Sequence, residues 1–339
     1  VKAKFNSFHQ ALRRAFSGAV CAGAVLLLAF SAQAQNLFVA DAGSGNIYEI
    51  TPDGAQTTFT SGLSAPAGLA FNSAGVLFES DSESSNIYEF TPGGVRSTFA
   101  SGLYAPTALA FNSAGDLFVA AEPIGNIYKI TPDGVISLFT SGLSYPYGLA
   151  FDKADNLFVS SVSDIIYKIL PNGTQSVFAS APGTPIGLAF NSAGNLFAAA
   201  FSSNIYEFTP DGTRSTFVSV LPPGIQALAI NSTDNLFVSS VSDVIYKILP
   251  DGTQSVFASG LGYSLALAFQ PAPELMATVT NGIIQVAVSM RPPNYSTVVQ
   301  VSTDLANWTS VCTNTPPFTL TNSIDTALPC HFYRALLGP

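Results

Sequence analysis

Side chains equipped for chemistry are scarce in this sequence. Its two histidines among 339 residues are His9 and His331, and neither falls in the long stretch from residue 35 to residue 270. Histidine-based acid–base catalysis and His-Glu-x-x-His zinc sites are therefore excluded there. The three cysteines, Cys21, Cys312 and Cys330, leave the same stretch without a thiol nucleophile or a thiolate metal ligand. A Gly-x-Ser-x-Gly elbow and a phosphate-cradling Gly-rich loop are also missing. Charged residues make up only 10% of the chain and are unbalanced, with 12 Lys and Arg against 21 Asp and Glu. Nucleic acids and anionic membranes are poor partners for such a surface, because binding to phosphates draws on clustered Lys and Arg. No run after residue 34 reaches the roughly 20 apolar residues that span a bilayer.

The first 34 residues are a different kind of text. Lys2, Lys4, Arg13 and Arg14 precede the apolar run "GAVCAGAVLLLAF", and Ala32-Gln33-Ala34 follow it. This is the three-part pattern of a secretory signal peptide cleaved after Ala34. The segment holds four of the 12 basic residues and none of the 21 acidic ones, so the remainder carries about −13. The expected protein is exported, extracellular or periplasmic, and without a transmembrane anchor after cleavage. Val1 in place of Met suits an alternative bacterial start codon. Cys312 and Cys330 then form an even pair in an oxidising compartment, where a disulfide is the simplest outcome.

What the chain has in abundance is repetition. "NLFVADAGSGNIYEITPDG" runs from Asn36 to Gly54, and relatives of it begin at Val76, Asp116, Asn156, Asn195 and Asn235, a spacing of 40 residues that falls once to 39. A period of about 40 points to a propeller or a helical array. Each unit carries four short runs of Ile, Val, Phe, Tyr and Thr separated by Pro-Asp-Gly, Asn-Ser-Ala-Gly and Ser-Gly, and none of the runs has a helical period. Four strands per unit make a propeller blade. A lone blade cannot bury both faces, whereas six in a ring can. The chain enters on the second strand of a unit and ends the repeat on a lone first strand, "LALAF", Leu265 to Phe269. This strand is predicted to pair with Asn36–Ala40 and close the ring. Asn156–Ser180 and Asn235–Ser259 differ at two of 25 positions, which suggests duplication in blocks of three and argues against one asymmetric catalytic centre.

Segments such as "PAGLAFNSAGVLFESDSESSNIYEFTPGG" and "PTALAFNSAGDLFVAAEPIGNIYKITPDG" resemble NHL repeats, the blade type shared with gluconolactonase-like (SMP-30-like) and virginiamycin B lyase-like propellers. The resemblance covers about residues 36–269 and implies a six-bladed ring. WD40 and kelch blades fit less well, since the only tryptophan is Trp308. Gluconolactonase-like propellers hold a divalent metal in the central channel through a Glu, an Asn and an Asp from different blades. Here the innermost strands read "AGLAF", "TALAF", "YGLAF", "IGLAF", "QALAI" and "LALAF", offering only Gln226 as a polar side chain near the axis, and the metal trio has no counterpart by motif. The virginiamycin lyase type relies on histidines that this ring lacks.

Function in propellers concentrates on the face made by the loops between the second and third strands and those leading into the innermost strand. The first set carries Asp41, Asp81, Glu83, Glu122, Asp164 and Asp243, and the second set Tyr104, Tyr145, Tyr147 and Tyr263. An acidic ring with interleaved tyrosines suits carbohydrate, peptide or protein ligands: phenol rings stack and donate hydrogen bonds, and carboxylates accept from hydroxyls or basic groups. The same carboxylates would suit Ca²⁺ or another divalent cation, which accepts flexible oxygen ligands. An Asp at a strand end more often bonds its own loop than a ligand. The Asp of "TPDG" recurs in most units and reads as turn chemistry. Asn172, Asn231, Asn294 and Asn307 match the glycosylation pattern, which carries little weight in a bacterial chain.

Beyond Pro271 the repeat stops. "MATVTNGIIQVAVSM", "STVVQVSTDLANWTSV", "PFTLTNS" and "CHFYRALL" read as strands of a small sandwich, with Asn281-Gly282 a hairpin turn. The segment from Val299 with the terminal "FYRALLGP" is similar to a module at the C-terminus of many secreted bacterial proteins, which implies surface attachment or sorting. The sequence thus predicts an all-β chain: a signal peptide over 1–34, a six-bladed propeller of four-stranded blades over 35–270 and a β-sandwich-like module over 271–339. Its expected role is that of a binding module at the cell exterior, with a metal-dependent lactonase or hydrolase as the competing reading.

Overall fold

A computed structural model describes residues 35–219 and 221–271, together with six further strands between residues 274 and 337. The predicted signal peptide, Trp308 and Cys330 lie outside the described residues, so the Cys312–Cys330 bridge does too.

Six four-stranded antiparallel sheets form the propeller, one for each sequence repeat. Blade 2 is representative, with strands Pro66–Phe71, Leu77–Asp81, Asn86–Phe90 and Arg96–Ser101 running from the axis outward. Blades 3 to 6 begin at Pro106, Pro146, Pro185 and Ile225. The sequence dictates the order of strands within each blade. The near-continuous apolar runs, such as "LFVAD", are buried at every position, as strands packed on both faces must be. The runs "QTTFT" and "RSTFAS", with exposed residues at their start, take the wet outer edge.

Blade 1 is made from both ends of the repeat region. Ser264–Phe269 pairs antiparallel with Leu37–Asp41, with Leu37 opposite Phe269 and Ala40 opposite Ala266. The closing strand is therefore the predicted one, longer by Ser264. Gln35 reinforces the seam: its side-chain amide donates to the Gln270 carbonyl at 2.8 Å and its oxygen accepts from the Ser232 amide of blade 6 at 2.7 Å. Closure leaves no inner edge for a foreign strand.

Two devices lock blade to blade. Edge-to-face phenylalanine pairs cross five of the six seams, from Phe38–Phe71 at 5.1 Å to Phe237–Phe269 at 4.9 Å, while Phe197 meets Ile230 in the remaining one. Such pairs contribute about 0.5–1.5 kcal/mol each beyond their buried area. The second device alternates around the ring. Ser80, Ser160 and Ser239, all fully buried, donate to the carbonyls of Thr107, Ile186 and Ser264 on the next blade, whereas blades 1, 3 and 5 carry Ala40, Ala120 and Ala199 at the same position. On the opposite face of the ring from the candidate mouth, Asp155 accepts from the Ser113 amide at 2.9 Å and Asp234 from the Ser192 amide at 2.8 Å. The Ser113 hydroxyl and amide hold the Asp155 carboxyl below the usual range.

The propeller is one compact unit, Ala34–Ala272. The tail strands form two three-stranded antiparallel sheets. One orders Glu274–Thr280, Ile283–Ser289 and Phe318–Ser323, the other Thr309–Asn314, Thr297–Ser302 and Phe332–Leu337. Among the described residues no helix is long and apolar enough to cross a membrane.

Candidate functional site

The innermost strands enclose a cavity of about 570 Å³ along the axis, and the repeat builds its wall in tiers. One tier is six leucines, Leu69, Leu109, Leu149, Leu188, Leu228 and Leu267. The next has six small residues, Gly or Ala, from Gly68 round to Ala266. The third, nearest the candidate mouth, is different in every blade: Ala67, Thr107, Tyr147, Ile186, Gln226 and Leu265. Glu122, Thr184, Phe201 and Tyr263 complete the rim. A uniform shaft therefore ends in an individual mouth.

Three of the ten residues singled out from the sequence line this cavity: Glu122, Tyr147 and Tyr263. They come together because the turn after each blade's second strand and the loop into the innermost strand lie on one face. Burial pushes the Tyr147 phenol up to about 12, with the hydrogen bond to Glu122 and its negative charge adding to the shift, followed by Tyr263 and Tyr145. Tyr145, half exposed, stands outside the lining but within electrostatic reach. Tyr104 is more exposed still and does not line the cavity.

The remaining acids are occupied or turned away. Asp41 accepts from the Gly43 amide at 2.9 Å and the Ser44 hydroxyl at 2.7 Å. Asp81 accepts from the Ser64 and Ser84 amides at 2.7 and 2.9 Å, and Asp164 from the Gly183 and Thr184 amides at 3.1 and 2.9 Å. These three fasten loops. Glu83 and Asp243 are exposed and outside the lining. Asp53 and Asp211 are held below the usual carboxylate range by the hydroxyls of Thr51 and Thr209, and Asp251 by the Thr253 amide, the chemistry of tight turns.

Gln226 is not alone on the axis, because Thr107 and Tyr147 share its tier. The strings "TALAF" and "YGLAF" begin with these two residues, and their place on the channel wall corrects the expectation that Gln226 would be the one polar side chain there. Thr107 donates to the Ala120 carbonyl at 3.2 Å and is satisfied within its own blade. Gln226 is 7% exposed, and its amide has no hydrogen-bond partner among the described residues. A primary amide has four hydrogen-bonding sites, and those of Gln226 border the cavity, where water or a ligand can meet them. Something with polar groups is its natural complement.

One acid escaped the sequence reading entirely. Glu79 is fully buried, neither carboxyl oxygen has a hydrogen-bond partner among the described residues, and burial first and Asp81 second raise its pKa to about 9. It sits on the same strand face as Leu77, which packs with Phe38, Ala40 and Leu63 in the seam between blades 1 and 2. The signal was available in the repeat. The other blades carry Val39, Val119, Val159, Ala198 and Val238 in that column. Glu79 is not part of the cavity lining.

No protein-family description and no curated protein sequence matches the chain. Solved structures do. Virginiamycin B lyase from Staphylococcus aureus superposes with a TM-score of 0.55 at 16% identity, over 80% of this chain and 93% of the lyase. A gluconolactonase from Xanthomonas campestris gives 0.55 at 17%, over 62% of this chain and 84% of that one. The chain has the fold of these propellers. A component of a nidogen–laminin complex is also similar, with a TM-score of 0.64 at 17% identity over 70% of this chain and 98% of that one. The likeness thus extends to a lyase, a gluconolactonase and a component of a protein complex alike, and at these identities it describes architecture and not activity.

The metal centre that the gluconolactonase resemblance implies does not fit this lining. Among the described residues no three His, Cys, Asp or Glu side chains gather as metal ligands, and the cavity wall supplies one carboxylate, Glu122. A divalent ion takes most of its protein ligands from carboxylates and carbonyls.

Proposed function

We propose that the protein is an exported binding module that takes a small ligand end-on into the mouth of its central cavity. The observation that carries this reading is Gln226, whose side chain makes no hydrogen bond among the described residues and lines the cavity beside Thr107, Tyr147 and Ile186, above tiers of leucine, alanine and glycine. The cavity's size suits a single sugar residue or a peptide side chain, since small-molecule pockets run to roughly 300–1,000 Å³. A mouth with phenols and one carboxylate fits extracellular carbohydrate, peptide or protein as partner classes. Surface attachment through the tail module is part of the same proposal.

Glycan and peptide panels probed by calorimetry, with the native ring and with Gln226→Leu, test it. The equivalent blade-1 position already carries Leu265, so the variant should fold and melt normally while losing bound ligands about tenfold or more. Ligands that bind both proteins equally, or panels without a hit, would remove the cavity from consideration.

A metal-dependent hydrolase of the gluconolactonase type is the competing reading, favoured by the fold and opposed by the lining. It requires Ca²⁺ or another divalent ion. Saturation a hundredfold above Kd would add about 2.7 kcal/mol, or several degrees in the melting temperature. On the binding-module reading, chelator and added divalent ions leave the melt unchanged.

A further inference from the structure

The repeat provides its own control for what the mouth is built to bind. At the position of Tyr147 the other blades have Ala67, Thr107, Ile186, Gln226 and Leu265, and at the position of Tyr263 they have Ala65, Ala105, Tyr145, Thr184 and Gly224. Where blade 3 has Glu122, the others begin the same loop with Ala42, Ser82, Val162, Phe201 and Val241. Blade architecture therefore demands neither phenol nor carboxylate at these places.

Charge defines the partner. Among the described residues the ion pairs are Lys129 with Asp116 and Lys168 with Asp152, so Glu122 has no cation of its own. The Tyr147 phenol stands beside it on the cavity wall, its ionisation raised by burial first and then by Glu122. Aromatic ring faces are negative, and two rings beside a lone carboxylate make a site that repels anions and returns more to a cation than to a neutral polyol for desolvating the acid. Weakly hydrated cations gain most there, because methylation lowers the cost of leaving water.

We propose that Tyr147, Tyr263 and Glu122 at the rim of the cavity hold a methylated or quaternary ammonium group between aromatic rings and a carboxylate, with Gln226 hydrogen-bonding the polar remainder of the ligand. The proposal rests on the cavity being a binding site and names the chemical class of its ligand.

Calorimetric or NMR titration of the exported chain with choline, with its uncharged isostere 3,3-dimethylbutanol and with methyl glucoside tests it. Choline should bind, and the isostere should bind about tenfold more weakly or worse. Glu122→Gln and Tyr263→Ala should each weaken choline several-fold at an unchanged melting temperature, whereas Tyr263→Phe, which keeps the ring, should retain most of the affinity. Equal binding of choline and its isostere would overturn the ammonium site, as would choline affinity indifferent to both Glu122→Gln and Tyr263→Ala. If methyl glucoside binds in a Gln226-dependent way and choline does not, the ammonium site is wrong and the cavity stands. If no probe binds, both readings fail.

Discussion

Glu79 and Gln226 both lack a side-chain hydrogen bond among the described residues, and they call for opposite treatment. Glu79 lies in a seam with no opening, so it is kept neutral and contributes only cost. Its raised pKa fixes the direction of the pH dependence. Below the ordinary carboxylate range both folded and unfolded chains carry the proton and nothing is lost. As pH rises past about 4.5 the unfolded chain ionises first, and stability falls until the folded group also ionises near 9. At pH 7 the loss is about 3 kcal/mol. Glu79→Val, which restores the residue of four other blades, should raise the melting temperature at pH 4, where the protonated acid is still without a partner, and by several degrees more at pH 7. Thermal melts across that range check it; equal gains at both pH values would mean that folding does not raise the pKa of Glu79. Gln226 by contrast lines an open cavity, where an unmet amide is useful once a ligand arrives. A further consequence concerns Tyr147: Glu122→Gln should lower its ionisation from about 12 towards the ordinary tyrosine value, measurable by ultraviolet titration.

Each blade is a variation on one element, and the variations that matter are the ones a neighbouring blade would not need. Gly148 illustrates the packing side. A Cβ there would lie 2.1 Å from the Ile186 carbonyl of the next blade, although Ala108 and Ala227 are accommodated at the same tier. Gly148→Ala should therefore destabilise by about 1–3 kcal/mol, seen as an earlier denaturation midpoint, whereas Ala108→Gly should cost far less. The alternation of Ser and Ala around the ring belongs with this asymmetry, because Ser160 accepts from the Gly148 amide at 2.8 Å and donates to Ile186 at 2.9 Å. The shape of the loops was legible in the sequence, through Asn-Ser-Ala-Gly and Pro-Asp-Gly. Which acids they would consume was not. Asp41, Asp81 and Asp164 look as available as Glu122 when read in line, and only the direction of nearby amides separates them.

The molecule as a whole depends on one strand. Deleting Leu265–Phe269 removes the inner strand of blade 1 and opens two seams, Phe237–Phe269 on one side and the contacts of Ala266 with Phe38 and Leu69 on the other. Such a chain should lose its cooperative melt, while one ending after Ala272 should keep it. A cooperative transition in the first would show that the ring closes by other means. The sequence by itself determined the number of blades, the strands within each and the closing partner, because a 40-residue period with four apolar runs can bury both faces of every sheet only by forming a ring. It also marked the mouth's face, since strand order fixes which loops lie together. The tertiary structure alone decided which polar groups remain free. That depends on hydrogen bonds between blades far apart in sequence, and it left Glu122, Tyr147, Tyr263 and Gln226 around one cavity while tying the other acids into loops or leaving them outside its wall.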